Sequence, residues 1–586
     1  MLRTLLFAVW LLPAALLAQE VPDSCPNGRI GAVQIENASI FDEADPDLDT
    51  RFRWAYRAAN ALHVRTRTWV IRRELLFHPG DCLDPFLLAE SERLLRSYDF
   101  LSDVDITSEP QPDGTFLVRV HTRDEWSTRV DVRLGSGLSV DGVRLTEENV
   151  LGSGQSLGAF YLARELDREY GLSYYTPQVL GTRWDLSVEA GQTRPGTFLR
   201  QAISYPYVGE VSHWAGRQGF RREDRFFNYI TSDDPGLRAS HVLLPVREKL
   251  FDAAVVRRIG RPGNMALLGA ALTYQELSYP GAPELAPAGR YADRVPLDDS
   301  TRARLLPHAE ELDNIRAFLL LGHRTVEWET RRGLNSFQGE EDVRLGAETG
   351  IAIGRSLPSL ENDDDLYTTL SLYTGAAAGD ALFILQARAD ARRDLNAPAG
   401  RSEWEDVYAE AELLAYLKPT RMPRHTLLLR AAGVGGWHTR TPFQLTLGGD
   451  HALRGYDPER YPGGRRLVVN LEERVYFGWP LRSVLDMGGA AFVDAGRIWQ
   501  GDVPFGVSSE WRASAGFGLR ASFPAGGRSS YRVDIAWPLA QGARLGDFRL
   551  MLSLGDVIGL NPKRRDEQLL RSRPAGVGAE LFPFHR

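Results

Sequence analysis

A few sets of residues in this 586-residue chain have types and spacings that could do chemistry. The first is a cation followed by acids. Arg454 lies in Gly448-Gly449-Asp450-His451-Ala452-Leu453-Arg454-Gly455-Tyr456, with Leu471-Glu472-Glu473-Arg474 and Phe492-Val493-Asp494-Ala495-Gly496 downstream. Arginine's planar fork bonds a carboxylate bidentately. Gly455 allows close backbone approach, and Tyr456 can pack its ring while donating a hydrogen bond. Taken alone, the motif fits a plain hairpin turn with a solvated arginine better than a buried ion pair, because exposed ion pairs are weak and common. The second set, Gly154-Gln155-Ser156-Leu157-Gly158, has the G-x-S-x-G spacing of a nucleophile elbow. That elbow needs a strand, a sharp turn and a helix, whereas here a strand-like run over 157–163 follows, so it reads as a turn. Gly516, Gly518 and Ala521 match a loose dinucleotide spacing inside an alternating strand, which is a chance match. Glu410, Glu412, Arg388 and Asp390 imitate paired catalytic acids but share the parity of a polar sheet face. Cys25 and Cys82 are the only cysteines; no Cys-x-x-Cys and no zinc-like spacing occurs. In an oxidising compartment these two can form a disulfide. The chain is therefore expected to be no enzyme and to hold no metal or cofactor.

The composition limits which elements could carry these residues. Charged residues make up 25% and hydrophobic ones 43%, too polar for a polytopic helical membrane protein. With 10% aromatic residues a large core can form, which excludes a disordered chain. The net charge of −8 argues against a nucleic-acid partner. Lysine occurs only at 249, 418 and 563, a bias we attribute to genome composition. Arg3 followed by an apolar run over 5–18 reads as a secretory signal peptide, 1–18, cut after Ala18. It is too short to span a membrane.

Residues 26–123 mix strands and helices. A first strand carries Ile30, Val33, Ile35 and Ile40. Helical stretches are expected over 51–62 and 69–77. Asp84 caps a further helix with Pro85 at its first position, and Phe86, Leu87, Leu94 and Leu95 form its apolar stripe. Two strands, 104–107 and 116–120, are joined by the hairpin signal Asp113-Gly114.

Beyond residue 125 the pattern has a period of two. Trp511, Ala513, Ala515, Phe517, Leu519, Ala521 and Phe523 form one face; Arg512, Ser514, Gly516, Gly518, Arg520 and Ser522 form the other. Tyr531, Val533, Ile535 and Trp537 alternate with Arg532 and Asp534 in the same way. Alternation over four hundred residues in an exported chain, in segments long enough for a tilted span, predicts a closed membrane barrel over 126–556. Leu467, Val469, Leu471, Val475 and Phe477 share the lipid-facing parity, which turns Glu472 and Arg474 to the lumen and leaves Glu473 on the lipid side, at a rim or a bulge. Residues 278–313, rich in Pro, Asp and Glu, are expected to form one long loop. A C-terminal tail occupies 557–586.

The motif around Arg454, the Phe-x-Asp-x-Gly run and Glu147-Glu148-Asn149-Val150-Leu151-Gly152-Ser153-Gly154, in that setting, resemble the outer-membrane assembly-factor superfamily, the BamA/TamA-like bacterial surface antigen proteins. The 26–123 region resembles its polypeptide-transport-associated (POTRA) domain. The resemblance implies an all-β transmembrane barrel of about sixteen antiparallel strands behind a small α/β domain. It also implies an inward loop around 448–465, with Leu453, Arg454, Gly455 and Tyr456 at its tip and Glu472, Phe492, Asp494 and Gly496 on the wall. A bacterial outer-membrane location with the N-terminal domain in the periplasm follows from it, as does assembly or translocation of polypeptides. The expected partners are unfolded or extended client polypeptides, outer-membrane lipids, and periplasmic chaperones or lipoproteins. A passive pore or dedicated secretion channel is the alternative. A single N-terminal domain and a tail after the last strand depart from the family pattern.

Overall fold

The computed structural model describes residues 25–554, apart from 42, 44–49, 135–139, 164–165, 232–238, 358–363, 479–483, 528–529, 541–543 and 545, together with Leu560. The expected signal peptide, and the expected tail apart from Leu560, lie outside the described residues.

The N-terminal domain is built from β1 (Arg29–Ala38), α1 (Arg53–Leu62), α2 (Thr68–Glu74), α3 (Pro85–Arg96), β2 (Leu101–Pro110) and β3 (Thr115–Asp124). Its sheet has the order β1-β3-β2, with β1 parallel and β2 antiparallel to β3. The central position of β3 explains why Val118 and Val120 are fully buried. Asp84 caps α3 by accepting from the Phe86 amide at 2.9 Å, with Pro85 opening the helix. Its core stripe is Leu88, Leu94 and Leu95, while Phe86 is exposed. The second expected helix ends early, at Glu74, because Leu75 turns extended and drops with Phe77 into the core. Ile40 lies past the end of β1 and packs with Phe41 and Tyr56. A disulfide joins Cys25 to Cys82 across 57 positions and staples the start of the domain to the loop before α3.

The barrel begins with six short strands: β4 (Thr128–Leu134), β5 (Val140–Glu147), β6 (Ser156–Ala163), β7 (Arg168–Thr176), β8 (Asp185–Thr193) and β9 (Thr197–Tyr205). Longer ones follow: β10 (Trp214–Ile230), β11 (His241–Arg261) and β12 (Asn264–Ser278). A distal insertion carries β13 (Glu284–Ala286), β14 (Val295–Pro296) and α4 (Asp299–Leu305). Next come β15 (Leu312–Arg332), β16 (Glu340–Ser356), β17 (Asp365–Ala378), β18 (Ala381–Asp394), β19 (Trp404–Leu417) and β20 (His425–Trp437). A loop bearing the small hairpin of β21 (Leu445–Thr446) and β22 (Pro462–Gly463) precedes β23 (Arg465–Tyr476) and β24 (Asp486–Trp499). The wall ends with β25 (Arg512–Ser522), β26 (Tyr531–Pro538) and β27 (Arg549–Leu554), which neighbours β4 and closes the ring.

Setting aside β13 and β14, twenty strands form the wall among the described residues, not about sixteen. The surplus lies in β4–β9, whose seven to nine residues look like loop hairpins in sequence but pair fully with one another. The expected loop over 278–313 is likewise partly ordered: β13 adds to β11, and Asp298 caps α4 through the Thr301 amide at 2.9 Å. The G-x-S-x-G segment is a turn: Gly154 has φ +70° and Ser156 opens β6, with no helix after it.

Outward side chains are apolar and inward ones polar, as lipid outside and a wet interior require. On β25, Phe517 and Leu519 are exposed while Ser514, Arg520 and Ser522 are buried. The N-terminal domain docks on the proximal rim, where β4 begins. Asn149 donates to Thr66 at 2.7 Å and Gln178 to Glu74 at 2.7 Å. Glu90 accepts from the Glu210 amide at 2.8 Å, Arg96 bonds Asp342 at 2.9 and 3.0 Å, and Arg93 stacks 4.2 Å over Trp328. Leu560 reaches this end as well, packing with the cluster that holds Leu334 and Tyr416.

Candidate functional site

The loop between β20 and β23 starts at the distal end and folds into the lumen. Its stem is the β21–β22 hairpin, and Leu445, Leu447 and Leu453 are fully buried with Phe443, Tyr408, Val468 and Ile498. The tip is a tight turn: the Leu453 amide donates to Leu447 O, and the Gly449 amide to Leu453 O and Tyr456 O, each at 3.2 Å. A Cβ on Gly448 would sit 1.8 Å from the Asp457 carbonyl oxygen, so only glycine fits.

Arg454 is fully buried at that tip. Its Nε and Nη2 donate to the two Asp494 oxygens at 2.8 and 2.7 Å, the bidentate fork, and its backbone amide donates to Asp494 at 3.2 Å. Nη1 donates to Glu472 at 2.5 Å, and the guanidinium lies 3.4 Å over the Phe492 ring. Phe492 pairs with Glu472 and Asp494 with Asn470 across β23 and β24, so one patch of wall presents every partner. Gly496 supplies space: a Cβ there would approach Leu447 to 2.9 Å and Leu453 to 3.4 Å. Gly455 lies as close to the neighbouring stretch of wall, where a Cβ would meet backbone of Trp537 and Pro538 on β26 at 2.7 and 2.9 Å. The Tyr456 hydroxyl donates to Ala513 O at 3.2 Å.

The structure thus brings Leu453, Arg454, Gly455 and Tyr456 against Glu472, Phe492, Asp494 and Gly496. It also adds residues that sequence reasoning left without a role. Asn470 donates to Asp494 at 2.8 Å and to Ala452 O at 3.1 Å. Arg474 donates to Glu472 at 2.8 Å, and Arg520 and Arg532 both bond Asp534. Arg430 and Arg549 bond the loop carbonyls of His451 and Tyr456, each at 2.9 Å. Lumen parity on β23, β25 and β26 was the available signal. Glu473 sits near the proximal end of β23 with His425 Nδ1 at 2.7 Å, a rim position where a lipid-side charge reaches water. Gly516 and Gly518 clear space for Phe492 and Asp534. Glu410 and Glu412 stand on the inner wall; Glu412 bonds Arg430.

A buried cation held by two carboxylates over an aromatic ring is a lock, since freeing either side leaves unpaired charge inside the protein. Among the described residues no His, Cys, Asp and Glu cluster could hold a metal ion.

Among solved structures, the chain is similar to BamA from Haemophilus ducreyi lacking POTRA domains 1–3, at 12% identity and TM-score 0.38, covering 90% of this chain and 84% of that one. CdiB from Acinetobacter baumannii (12%, TM-score 0.38) covers 90% and 73%, and CdiB from Escherichia coli (11%, TM-score 0.44) covers 92% of each. No curated protein matches the chain. Residues 422–556, from the start of β20 through the inward loop to the end of β27, match the Omp85 superfamily domain. The chain is a closed antiparallel β-barrel behind a small α/β domain, and its segment 422–556 is similar to the Omp85 superfamily domain.

Proposed function

We propose that the protein inserts polypeptides into, or passes them across, the outer membrane, and that it does so without enzymatic chemistry. The single observation carrying this reading is the loop locked by Arg454 to Asp494 and Glu472, beside the junction of the last and first strands. In this reading the N-terminal domain is periplasmic and POTRA-like. Its β2 is an edge strand with an exposed second half, so an extended client can add to the sheet there. Its partners are unfolded or extended clients delivered by periplasmic chaperones or lipoproteins, and the surrounding outer-membrane lipid.

Wall height supports the same reading. Strands β11 and β15 have 21 residues, whereas β26, β27 and β4 have 8, 6 and 7 among the described residues. A spanning strand needs about 9–11 residues, so in this reading the bilayer thins where the ring joins. Thinned lipid lowers the barrier to a new strand entering at that junction. A disulfide tying β4 to β27 tests this: insertion of a client barrel into vesicles should stop when the tie is oxidised and return on reduction. Full insertion with the junction tied would refute it. A secretion channel is the second reading, favoured by inner-wall charges such as Arg144, Glu189 and Arg200. In that case the tied protein would still pass its client.

A further inference from the structure

We propose that the turns β5–β6 and β7–β8, with the start of α2, form a docking surface for anionic phospholipid headgroups of the periplasmic leaflet. The two turns repeat one device. Asn149-Val150-Leu151-Gly152 and Gln178-Val179-Leu180-Gly181 each hold leucine in the left-handed region, at φ 51° and 49°. Leucine carries a steric cost there, and its side chain is left facing solvent, since Leu151 is 65% and Leu180 100% exposed. Two strained, solvent-facing leucines on turns about 10 Å apart point to an apolar contact outside the chain.

The charges beside them define its chemistry. The Arg67 amide donates to Gly152 O at 2.9 Å and its Nε to Leu151 O at 3.2 Å. Arg73 donates to Gln178 at 3.4 Å, and Arg183 donates to the carbonyls of Arg73 and Leu75 at 3.2 and 3.3 Å. Arg65 and Arg72 are exposed on either side. Among the described residues none of these five arginines has a carboxylate partner. The acid of α2, Glu74, turns inward to Tyr98 and Gln178, and Glu36 and Glu109 pair with Arg119 on the open sheet. The surface is therefore strongly cationic and suits phosphate.

Its position fits a membrane rather than the lumen. Trp184 packs 5.5 Å from Tyr205, and Trp184 and Trp214 are exposed at this rim, the level where aromatic girdles meet headgroups. A leaflet held here would anchor the N-terminal domain beside the shortest part of the wall.

The test uses the full chain with a nitroxide on L180C, the native disulfide left oxidised, in phosphatidylethanolamine vesicles with and without phosphatidylglycerol. Phosphatidylglycerol should raise the label's accessibility to oxygen relative to a water-soluble nickel chelate, and added salt should reverse the change. R72Q, which removes no contact within the chain, should weaken that response about fivefold. R67Q/R73Q/R183Q should abolish it while heat-modifiable gel migration shows the barrel intact. An accessibility ratio indifferent to phosphatidylglycerol would overturn the proposal, as would a label that is shielded only by an added protein.

Discussion

Removing the Arg454 guanidinium should release the inward loop from the wall without unfolding the barrel. In R454A, Asp494 keeps Asn470 and Glu472 keeps Arg474, but each loses its shortest contacts to a cation that is fully buried. Breaking one side of such a pair costs about 3–5 kcal/mol, because the abandoned charge stays desolvated. That shifts the balance between seated and released loop roughly a hundredfold to several thousandfold. Native-state hydrogen exchange reads it: the Gly449, Leu453 and Tyr456 amides should lose protection by that factor, while amides of β11 and β15 keep theirs. R454K should fall between, since lysine keeps the charge and loses the two-pronged geometry. A double-mutant cycle with D494N should give strong coupling, because both substitutions break one contact. Unchanged loop protection in R454A, or additive effects in the cycle, would refute the lock.

Three further outcomes follow from the geometry. G496L should unseat the loop from the other side, since a side chain there collides with Leu447 and Leu453; loop exchange in G496L should match that in R454A. C25S/C82S should cost the N-terminal domain about 4 kcal/mol by the loop-closure relation for a 57-residue separation, seen as earlier thermal unfolding of that domain alone. Arg96→Ala should loosen the domain from the barrel, because its guanidinium links α3 to Asp342 and Glu340; a broader distance distribution between labels on α3 and β16 would show it, and an unchanged one would not.

Features tied to one stretch of chain were legible in the sequence. Parity along β23 turned Glu472 inward and left Glu473 outside, and the Asp84-Pro85 start marked α3. The Arg454–Asp494 pair was legible only because two short motifs resemble a known family. Features set by pairing between strands were not. Asn470 joins the site because it stands across from Asp494, and Asp534 because it stands across from Gly518, neighbours that only register reveals. The count of wall strands failed for a related reason: β4–β9 have the length of surface hairpins, and only their unbroken pairing makes them wall. The docking of α3 through Arg96 and Asp342 links positions 246 apart and leaves no local trace.

Whether the protein handles polypeptides is decided by quantitative proteomics of the outer-membrane and secreted fractions after its depletion. Specific proteins should disappear from those fractions while their precursors accumulate in the periplasm, broadly for a general insertion factor and narrowly for a dedicated transporter. Both fractions unchanged after depletion would contradict it.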